Sequence, residues 1–131
     1  MQIADMLHRI KAYQAELGYT YEYESEEARM VHTRELTLAL MVEVTEFVDW
    51  TPWKPWRAIA DQESNRTEAA YELIDIFFFM ANLWNTLGMP ISGFEELFEA
   101  KLKENLSRIE RGYNTKTVEQ LELQYDTGET L

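Results

Sequence analysis

The sequence contains no cysteine, which excludes disulfide bonds, zinc–thiolate sites and cysteine nucleophiles. Five glycines and three prolines in 131 residues are few, so long uninterrupted helices have room to form. The longest strongly apolar run, residues 74–84, contains Asp75 and Asn82 and is too short to span a bilayer. The N-terminal residues also lack the apolar stretch of a signal peptide. We therefore expect a soluble, cytoplasmic protein without a membrane partner.

Basic residues are scarce as well: 12 Lys and Arg stand against 24 Asp and Glu, for a formal net charge of −12. Such a surface repels nucleic-acid phosphates, and no long basic stripe offsets it. We therefore expect no nucleic-acid partner. A small anionic ligand remains compatible with this charge if cations or metal ions are concentrated at one site.

The chain is rich in material for one apolar core, because 46% of its residues are hydrophobic and 13% are aromatic. Apolar residues recur at helical spacing, and few strand patterns are present. The pattern predicts an all-α bundle of four main helices joined by short loops. The expected helices cover residues 3–17, 26–50, 67–87 and 92–111. Residues 1–113 form the expected single domain, and residues 114–131 form a polar, acidic tail in which 118–125 is either a short helix or a docking arm.

Local signals set the expected helix ends. Ser25 is expected to cap the second helix, and a pause is expected near His32 and Thr33. Gly88 is expected to end the third helix. Ser92 has the spacing of a capping box with the glutamate three residues later, so a fourth helix is expected to start there.

Four acidic residues lie in the two most apolar stretches of the chain. Glu43 and Glu46 are three residues apart in the second helix, and Glu72 and Asp75 are three apart in the third. Residues three apart lie on one helix face, so each pair forms a two-carboxylate patch. Burying unpaired carboxylates costs several kcal/mol each, and no Lys or Arg lies nearby in either stretch. Carboxylates are the ligands that Mg²⁺ prefers, with Mn²⁺ as a substitute, so we predict a metal site.

The competing interpretation is a solvated acidic face, because a single pair of acids at this spacing is common on helices. Two such pairs in the two most apolar helices favour the metal site. A di-iron carboxylate bundle is a further alternative, but it requires a histidine three residues after a glutamate. Neither His8 nor His32 satisfies that spacing.

Cations and aromatic residues follow the first acid pair. Trp53 and Trp56 lie in a proline-containing loop and could form a rigid wall for a planar base. Lys54 and Arg57 could bind phosphate oxygens there. Packing of the tryptophans at a helix corner or a subunit interface is the alternative.

The fourth helix carries Lys101, Asn105 and Arg108 on one face, since they are spaced by four and three residues. Two cations and an amide suit a phosphorylated sugar, although an ordinary charged surface explains them equally well.

Taken in order, these motifs resemble the all-α NTP pyrophosphohydrolase superfamily in its dimeric dUTPase branch. The two acid pairs match in order, and the long gap between Glu46 and Glu72 resembles this branch rather than MazG-type enzymes. The segment Trp53-Lys54-Pro55-Trp56 looks like the W-K-x-W segment of the family. A late K-x-x-x-N-x-x-R-x-x-x-G-Y pattern is matched from Lys101 to Tyr113.

The resemblance implies a homodimer that hydrolyses a nucleoside triphosphate to the monophosphate and pyrophosphate. The four acids would hold Mg²⁺. Among them we assign Glu46, beside Glu43, to orient or deprotonate the attacking water, because it lies next to the aromatic loop. The cations Lys54, Arg57, Lys101 and Arg108 would contact phosphates. Asn105 and Tyr113 would contact the sugar.

The base is where the chain departs from the pattern. Family members often carry a Gln and an Asn on the first helix that help to recognise uracil; Gln14 is present here, without a matching Asn. Asn82 is a second candidate, because it lies on the stripe of Asp75. We expect dUTP as the preferred substrate, with a dCTP-directed or broader MazG-like activity as the alternative. The non-enzyme alternative is a structural helical interaction module.

Overall fold

The structure is a computed structural model that describes residues 1–112, and these residues form four α-helices and no β-strand. The helices are α1 (Ile3–Glu16), α2 (Glu26–Asp49), α3 (Arg66–Thr86) and α4 (Gly93–Glu110), with a short 3-10 helix at Ile59–Asp61 between α2 and α3. The predicted all-α class is confirmed. Tyr113 and the predicted tail of residues 114–131, including 118–125, lie outside the described residues. No helix in the described part is both long and apolar enough to cross a membrane.

The chain divides into two compact units, residues 1–91 and residues 92–131. The first unit contains α1, α2 and α3, and the second contains α4. The expected boundary of a single domain at residue 113 stays a prediction.

Helix α2 begins as predicted and runs without interruption to Asp49, one residue short of the predicted end. The Ser25 hydroxyl oxygen accepts a hydrogen bond from the Ala28 N–H at 3.0 Å, which satisfies one free N–H of the first turn. The predicted pause near His32 and Thr33 is wrong, because the helix is continuous. The Thr33 hydroxyl donates to the Arg29 carbonyl at 2.8 Å, so this β-branched polar residue is satisfied within the helix.

Helix α3 is closed at both ends by polar contacts. The Asn65 side chain accepts from the Glu68 N–H at 3.0 Å at the start. Beyond the other end, Gly88 has φ +77°, a conformation that side chains rarely adopt. Arg29 of α2 donates to the Thr86 carbonyl at 2.7 Å and fills the space where a Cβ on Gly88 would lie. Gly88 therefore ends the helix as predicted.

The capping box predicted at Ser92 does not form. Ser92 has φ −60° and ψ −23°, which are already helical, and its side chain makes no capping hydrogen bond. A capping contact is present at the start of α1, where the Gln2 N–H donates to the Asp5 carboxylate at 3.1 Å.

Helix α3 is the centre of the first unit, because it packs against both α1 and α2. The buried apolar side chains are Leu7 and Ile10 of α1 and Ala69 and Ala81 of α3. Helices α2 and α3 run antiparallel, since Arg29 contacts the end of α3 while Glu43, further along α2, lies near Glu72 at its start. The first part of α2 therefore lies beside the end of α3, and the later part of α2 lies beside its start.

Candidate active site

Three of the four predicted acids converge between α2 and α3. Glu43, Glu46 and Glu72 each offer a carboxylate oxygen, and these three atoms lie within 4.8 Å of one another. The three-residue spacing brings Glu43 and Glu46 to one face of α2, and the antiparallel pairing of the helices brings Glu72 opposite them. Glu43 and Glu72 are half-buried, whereas Glu46 is exposed.

Two buried oxygen atoms in this acid cluster have no hydrogen-bond partner. Glu43 Oε2 and Glu72 Oε2 are buried from solvent and accept no hydrogen bond. A buried acceptor without a partner loses its hydration and regains nothing. A solvated acidic face would leave these atoms in water, so the packing argues against that interpretation.

The acid cluster is electrostatically strained. Burial raises the pKa of Glu43 above its ordinary value, and the charge of Glu46 and a hydrogen bond with it raise the pKa further. Burial also raises the pKa of Glu72, followed by the charges of Glu46 and Asp75. Hydrogen bonding by the Trp50 side chain opposes this rise at Glu72. Each carboxylate thus disfavours the charge of the next, which a bound cation would reverse.

Asp75 lies at the edge of the acid cluster. Its carboxylate is exposed and is not among the three that converge. Its charge nevertheless raises the pKa of both Glu43 and Glu72, so it lies near both side chains. It remains available as an outer oxygen donor.

The connection between α2 and α3 is held in shape by one amide side chain. Gln62 Oε1 accepts from the Lys54 N–H at 2.9 Å, and Gln62 Nε2 donates to the Lys54 carbonyl at 2.8 Å. The same nitrogen donates to the Arg57 carbonyl at 3.1 Å. The Asn65 N–H donates to the Trp50 carbonyl at 3.0 Å and closes the connection at its base. These bonds fix the backbone that carries the two predicted phosphate-binding cations.

The predicted cations of this loop line a cavity of about 390 Å³ together with Trp53. The Lys54 ammonium lies over the Trp53 ring, 5.9 Å from its centroid. Trp56 packs edge-on against Trp53 with ring centroids 5.6 Å apart, and it is 70% exposed. Trp56 therefore braces the wall of the cavity and does not line it.

This loop cavity adjoins the acid cluster. A second cavity of about 320 Å³ is lined by Glu46, Asp49, Trp50, Glu63 and Glu72. Asp49 and Glu63 line both cavities. Carboxylates and cations thus face neighbouring parts of one open depression.

Gln14 and Asn82 line a third cavity, of about 190 Å³, between α1, α2 and α3. Gln14 is 9% exposed and Asn82 is 7% exposed. The other side chains of this amide cavity are Leu17, Tyr19, Tyr21, His32, Leu36 and Phe79. The two amides proposed from the sequence as base-recognition groups therefore line the same cavity.

The amide cavity, the acid cluster and the loop cavity follow one another along the α2–α3 pair. Leu36 and Glu43 are one heptad apart on α2, and Asn82 and Asp75 are one heptad apart on α3. At 1.5 Å per residue, the amide cavity lies about 10 Å from the acids and about 20 Å from the start of the loop cavity. One base cannot contact both Asn82 and Trp53 within one chain.

The predicted residues of α4 lie in the second unit. Lys101 and Arg108 both contact Glu104, at 3.4 Å and 2.6 Å. These contacts confirm that the two cations share a helix face with Glu104. Asn105 is exposed on the same helix.

A family model described as dUTPase matches residues 5–125. The chain belongs to the dUTPase family. The match covers α1 to α4 and extends beyond the described residues. A search of curated proteins and a search of solved structures each found no significant match. Membership in the dUTPase family supports a nucleotide pyrophosphatase-like function.

Three features of this dUTPase-family site are absent from the prediction based on sequence. Asp49 continues the three-residue spacing of Glu43 and Glu46, and that periodicity was the available signal. Trp50 acts on Glu72 through a hydrogen bond, which no local pattern indicates. Gln62 shapes the loop by contacts with residues eight and five positions earlier, and an isolated glutamine in a polar stretch gives no signal of this.

Proposed function

We propose that this protein is a Mg²⁺-dependent pyrophosphohydrolase that converts dUTP to dUMP and pyrophosphate. The observation that carries the proposal is the pair of buried oxygens without partners, Glu43 Oε2 and Glu72 Oε2, within the converging acid cluster. Family membership supplies the substrate class.

The acid cluster suits a hard divalent cation. Carboxylate oxygens are the donors that Mg²⁺ and Mn²⁺ take, and the unpartnered oxygens of Glu43 and Glu72 are available for it. Glu43, Glu46 and Glu72 would hold the metal, with Asp75 as the outer donor. When bound, Mg²⁺ neutralises phosphate charge and lowers the pKa of a water molecule.

The side chains of the open depression have complementary roles in the proposed reaction. Glu46 is the exposed member of the acid cluster and lines the adjoining cavity, so it is the residue we assign to orient the attacking water and accept its proton. Lys54 and Arg57 would bind the oxygens of the departing pyrophosphate from the loop cavity. The Gln62 bonds hold their backbone in place before substrate arrives.

The base is assigned to the amide cavity, because Gln14 and Asn82 are largely buried side chains that offer hydrogen-bonding groups to it. The separation of about 10 Å from the acids leaves room for a deoxyribose and its first phosphate. Stacking of the base on Trp53 or Trp56 stays the competing prediction. It requires the base at the opposite end of the acid cluster.

The proposal also includes substrate contacts from α4 and from Tyr113, which the family resemblance implies. Lys101 and Arg108 would contact phosphates, and Asn105 and Tyr113 would contact the sugar. Their contribution is tested by single substitutions to alanine, with KM for the nucleotide as the measurement.

A second copy of the chain is the proposed partner. Large apolar side chains of α2 and α3 face solvent in the single chain, among them Leu38, Met41, Val42, Tyr71, Leu73 and Ile74. An exposed surface of this kind is typical of a subunit interface. The cytoplasmic location and the absence of a nucleic-acid partner stay predictions.

The experiment that tests the function is a panel of dNTPs and NTPs with Mg²⁺, in which pyrophosphate and nucleotide products are identified. We expect dUMP and pyrophosphate, with dUTP preferred. A preference for dCTP or a flat profile would support the dCTP-directed or MazG-like alternative. Absence of hydrolysis, together with no thermal stabilisation by Mg²⁺, would support the structural interaction module.

A further inference from the structure

Two buried amide side chains, those of Gln14 and Asn82, line the amide cavity. Gln14, Asn82 and Asn85 are each more than nine-tenths buried. A side-chain amide that lines a cavity and is otherwise buried can bind a polar ligand there.

Tyr21 reaches this group through an unusual backbone conformation. It has φ +59°, and it is the one residue other than glycine with a positive φ among residues 1–112. Left-handed backbone is unfavourable for a side chain that carries a Cβ, and it persists where surrounding contacts hold it. Here the Tyr21 hydroxyl donates to Asn82 Oδ1 at 2.7 Å.

The hydrogen bonds run in one direction. Burial raises the pKa of Tyr21, and hydrogen bonding from the Asn85 side chain partly opposes the rise. The hydroxyl is therefore protonated at neutral pH and donates a hydrogen bond to Asn82 Oδ1. Because Asn82 Oδ1 accepts this hydrogen bond, Nδ2 is the free end of the amide, and Nδ2 makes no hydrogen bond to a described residue.

We propose that Tyr21 is a positioning residue for base selection: it holds the Asn82 amide with Nδ2 turned into the cavity, as a donor to a carbonyl oxygen of the base. Uracil carries a carbonyl at ring position 4, where cytosine carries an amino group. An amide N–H₂ pairs with the first and leaves two donors facing each other with the second. The inference rests on the proposed function and deepens it, because it names the group that rejects cytosine.

The first test is Tyr21→Phe, which removes the hydroxyl and keeps the ring. The ratio of kcat/KM for dUTP to kcat/KM for dCTP should fall by roughly three- to tenfold, the range of one net hydrogen bond. The kcat for dUTP should change less than about twofold, because the amide can turn without disturbing the acid cluster. Calorimetric binding of dUMP and dCMP should show the same loss of discrimination without turnover.

Tyr23→Phe is the matched control. Tyr23 lies two residues later, and its hydroxyl contacts His32 and Thr86 and not Asn82. It loses the same atom from the same segment, so it reports general loosening. Its dUTP-to-dCTP ratio should equal that of the unmodified protein.

Asn82→Asp is the second variant, and it decides the matter if Tyr21→Phe does not fold. It replaces the proposed donor with an acceptor, so preference should shift towards dCTP. An unchanged ratio in Asn82→Asp, or in folded Tyr21→Phe, would overturn the inference. An unmodified protein that prefers dCTP would overturn it too and leave the pyrophosphohydrolase standing. An unmodified protein that releases no pyrophosphate from any nucleotide would overturn the proposed function itself.

Discussion

Substitution of Glu72 tests the repulsion between the carboxylates of the acid cluster. Its Oε2 is buried without a partner, and the charges of Glu46 and Asp75 raise the pKa of its carboxyl group. We expect Glu72→Gln to lower kcat by at least about a hundredfold, since it removes a proposed metal ligand. The fold should stay intact or gain stability, because one repelling charge disappears. Steady-state kinetics and thermal unfolding measure the two effects.

Glu68→Gln is the control for this substitution. Glu68 lies one turn earlier on α3, is exposed and is not one of the three converging acids. It makes the same chemical change outside the acid cluster, so turnover should be retained. A Glu72→Gln variant with near-normal kcat in saturating Mg²⁺ would contradict the four-carboxylate site.

The raised pKa values of Glu43 and Glu72 also predict how stability depends on pH. Between the ordinary pKa of a glutamate and the raised value, the folded state binds more protons than the unfolded state. Stability of the metal-free protein should therefore be greatest below the ordinary pKa and should fall as pH rises through the raised pKa of each group. Above that, the loss should stay constant.

Other acids titrate in the same range, so the measurement is a difference. The free energy of unfolding is followed against pH in a chelating buffer for the unmodified protein and for Glu72→Gln. The variant should show a shallower decline, and Mg²⁺ at neutral pH should restore stability to the unmodified protein more than to the variant. Parallel curves without metal would mean that Glu72 titrates normally.

At the scale of the element, the loop between α2 and α3 depends on Gln62. Its amide forms hydrogen bonds with both the N–H and the carbonyl of Lys54, as a neighbouring β-strand would do in a sheet. Gln62→Ala should raise KM for dUTP several-fold, because Lys54 and Arg57 lose their fixed backbone. The kcat should change less, since the acid cluster is untouched.

Hydrogen exchange at the Lys54 amide separates this effect from a global loss of stability. Protection of Lys54 should fall in Gln62→Ala, whereas protection in the middle of α3 should stay unchanged. Gln62→Glu is the intermediate case, because it keeps the acceptor for the Lys54 N–H and loses the donors to two carbonyls. Unchanged protection at Lys54 in both variants would show that the loop is held by other contacts.

The sequence predicted the elements where the signal was local. The spacing of Glu43, Glu46, Glu72 and Asp75 within apolar stretches predicted the acid cluster, since helical periodicity alone brings each pair to one face. The serine before α2 predicted its start, because the capping contact spans three residues. These features depend on residues close together in the chain and not on which helices pack against each other.

What the sequence could not predict depends on distant partners. The expected pause at His32 was wrong because His32 bonds Tyr23 of the preceding segment and the helix continues through it. The left-handed backbone of Tyr21 is held by contacts that include Asn82, sixty-one positions away. A tyrosine in a polar segment carries no local sign of either contact.

At the scale of the whole molecule, the exposed apolar surface of α2 and α3 predicts a homodimer. Met41 is 60% exposed and Ile74 is 54% exposed. Burying such a surface between two copies would remove these apolar side chains from water, which favours association. Light scattering at micromolar concentration should give twice the mass of one chain, with or without nucleotide.

Met41→Lys should shift the protein towards monomer, because a buried interface does not tolerate an unpaired charge. His8→Lys is the control, as it introduces the same side chain at an exposed polar position of α1. A monodisperse monomer in the unmodified protein would contradict the dimer.

The antiparallel pairing of α2 and α3 also bears on how the chain folds. The converging acids come from α-helices that follow one another in the chain, and the hydrogen bond between Asn65 and Trp50 closes the loop that joins them. Contacts of this local kind form early, because little chain entropy is lost in closing the loop. The pairing of α2 with α3 also brings three carboxylates together. A divalent cation would therefore act on the folding rate, as a counterion that lets the helical hairpin close, before it acts in any chemical step.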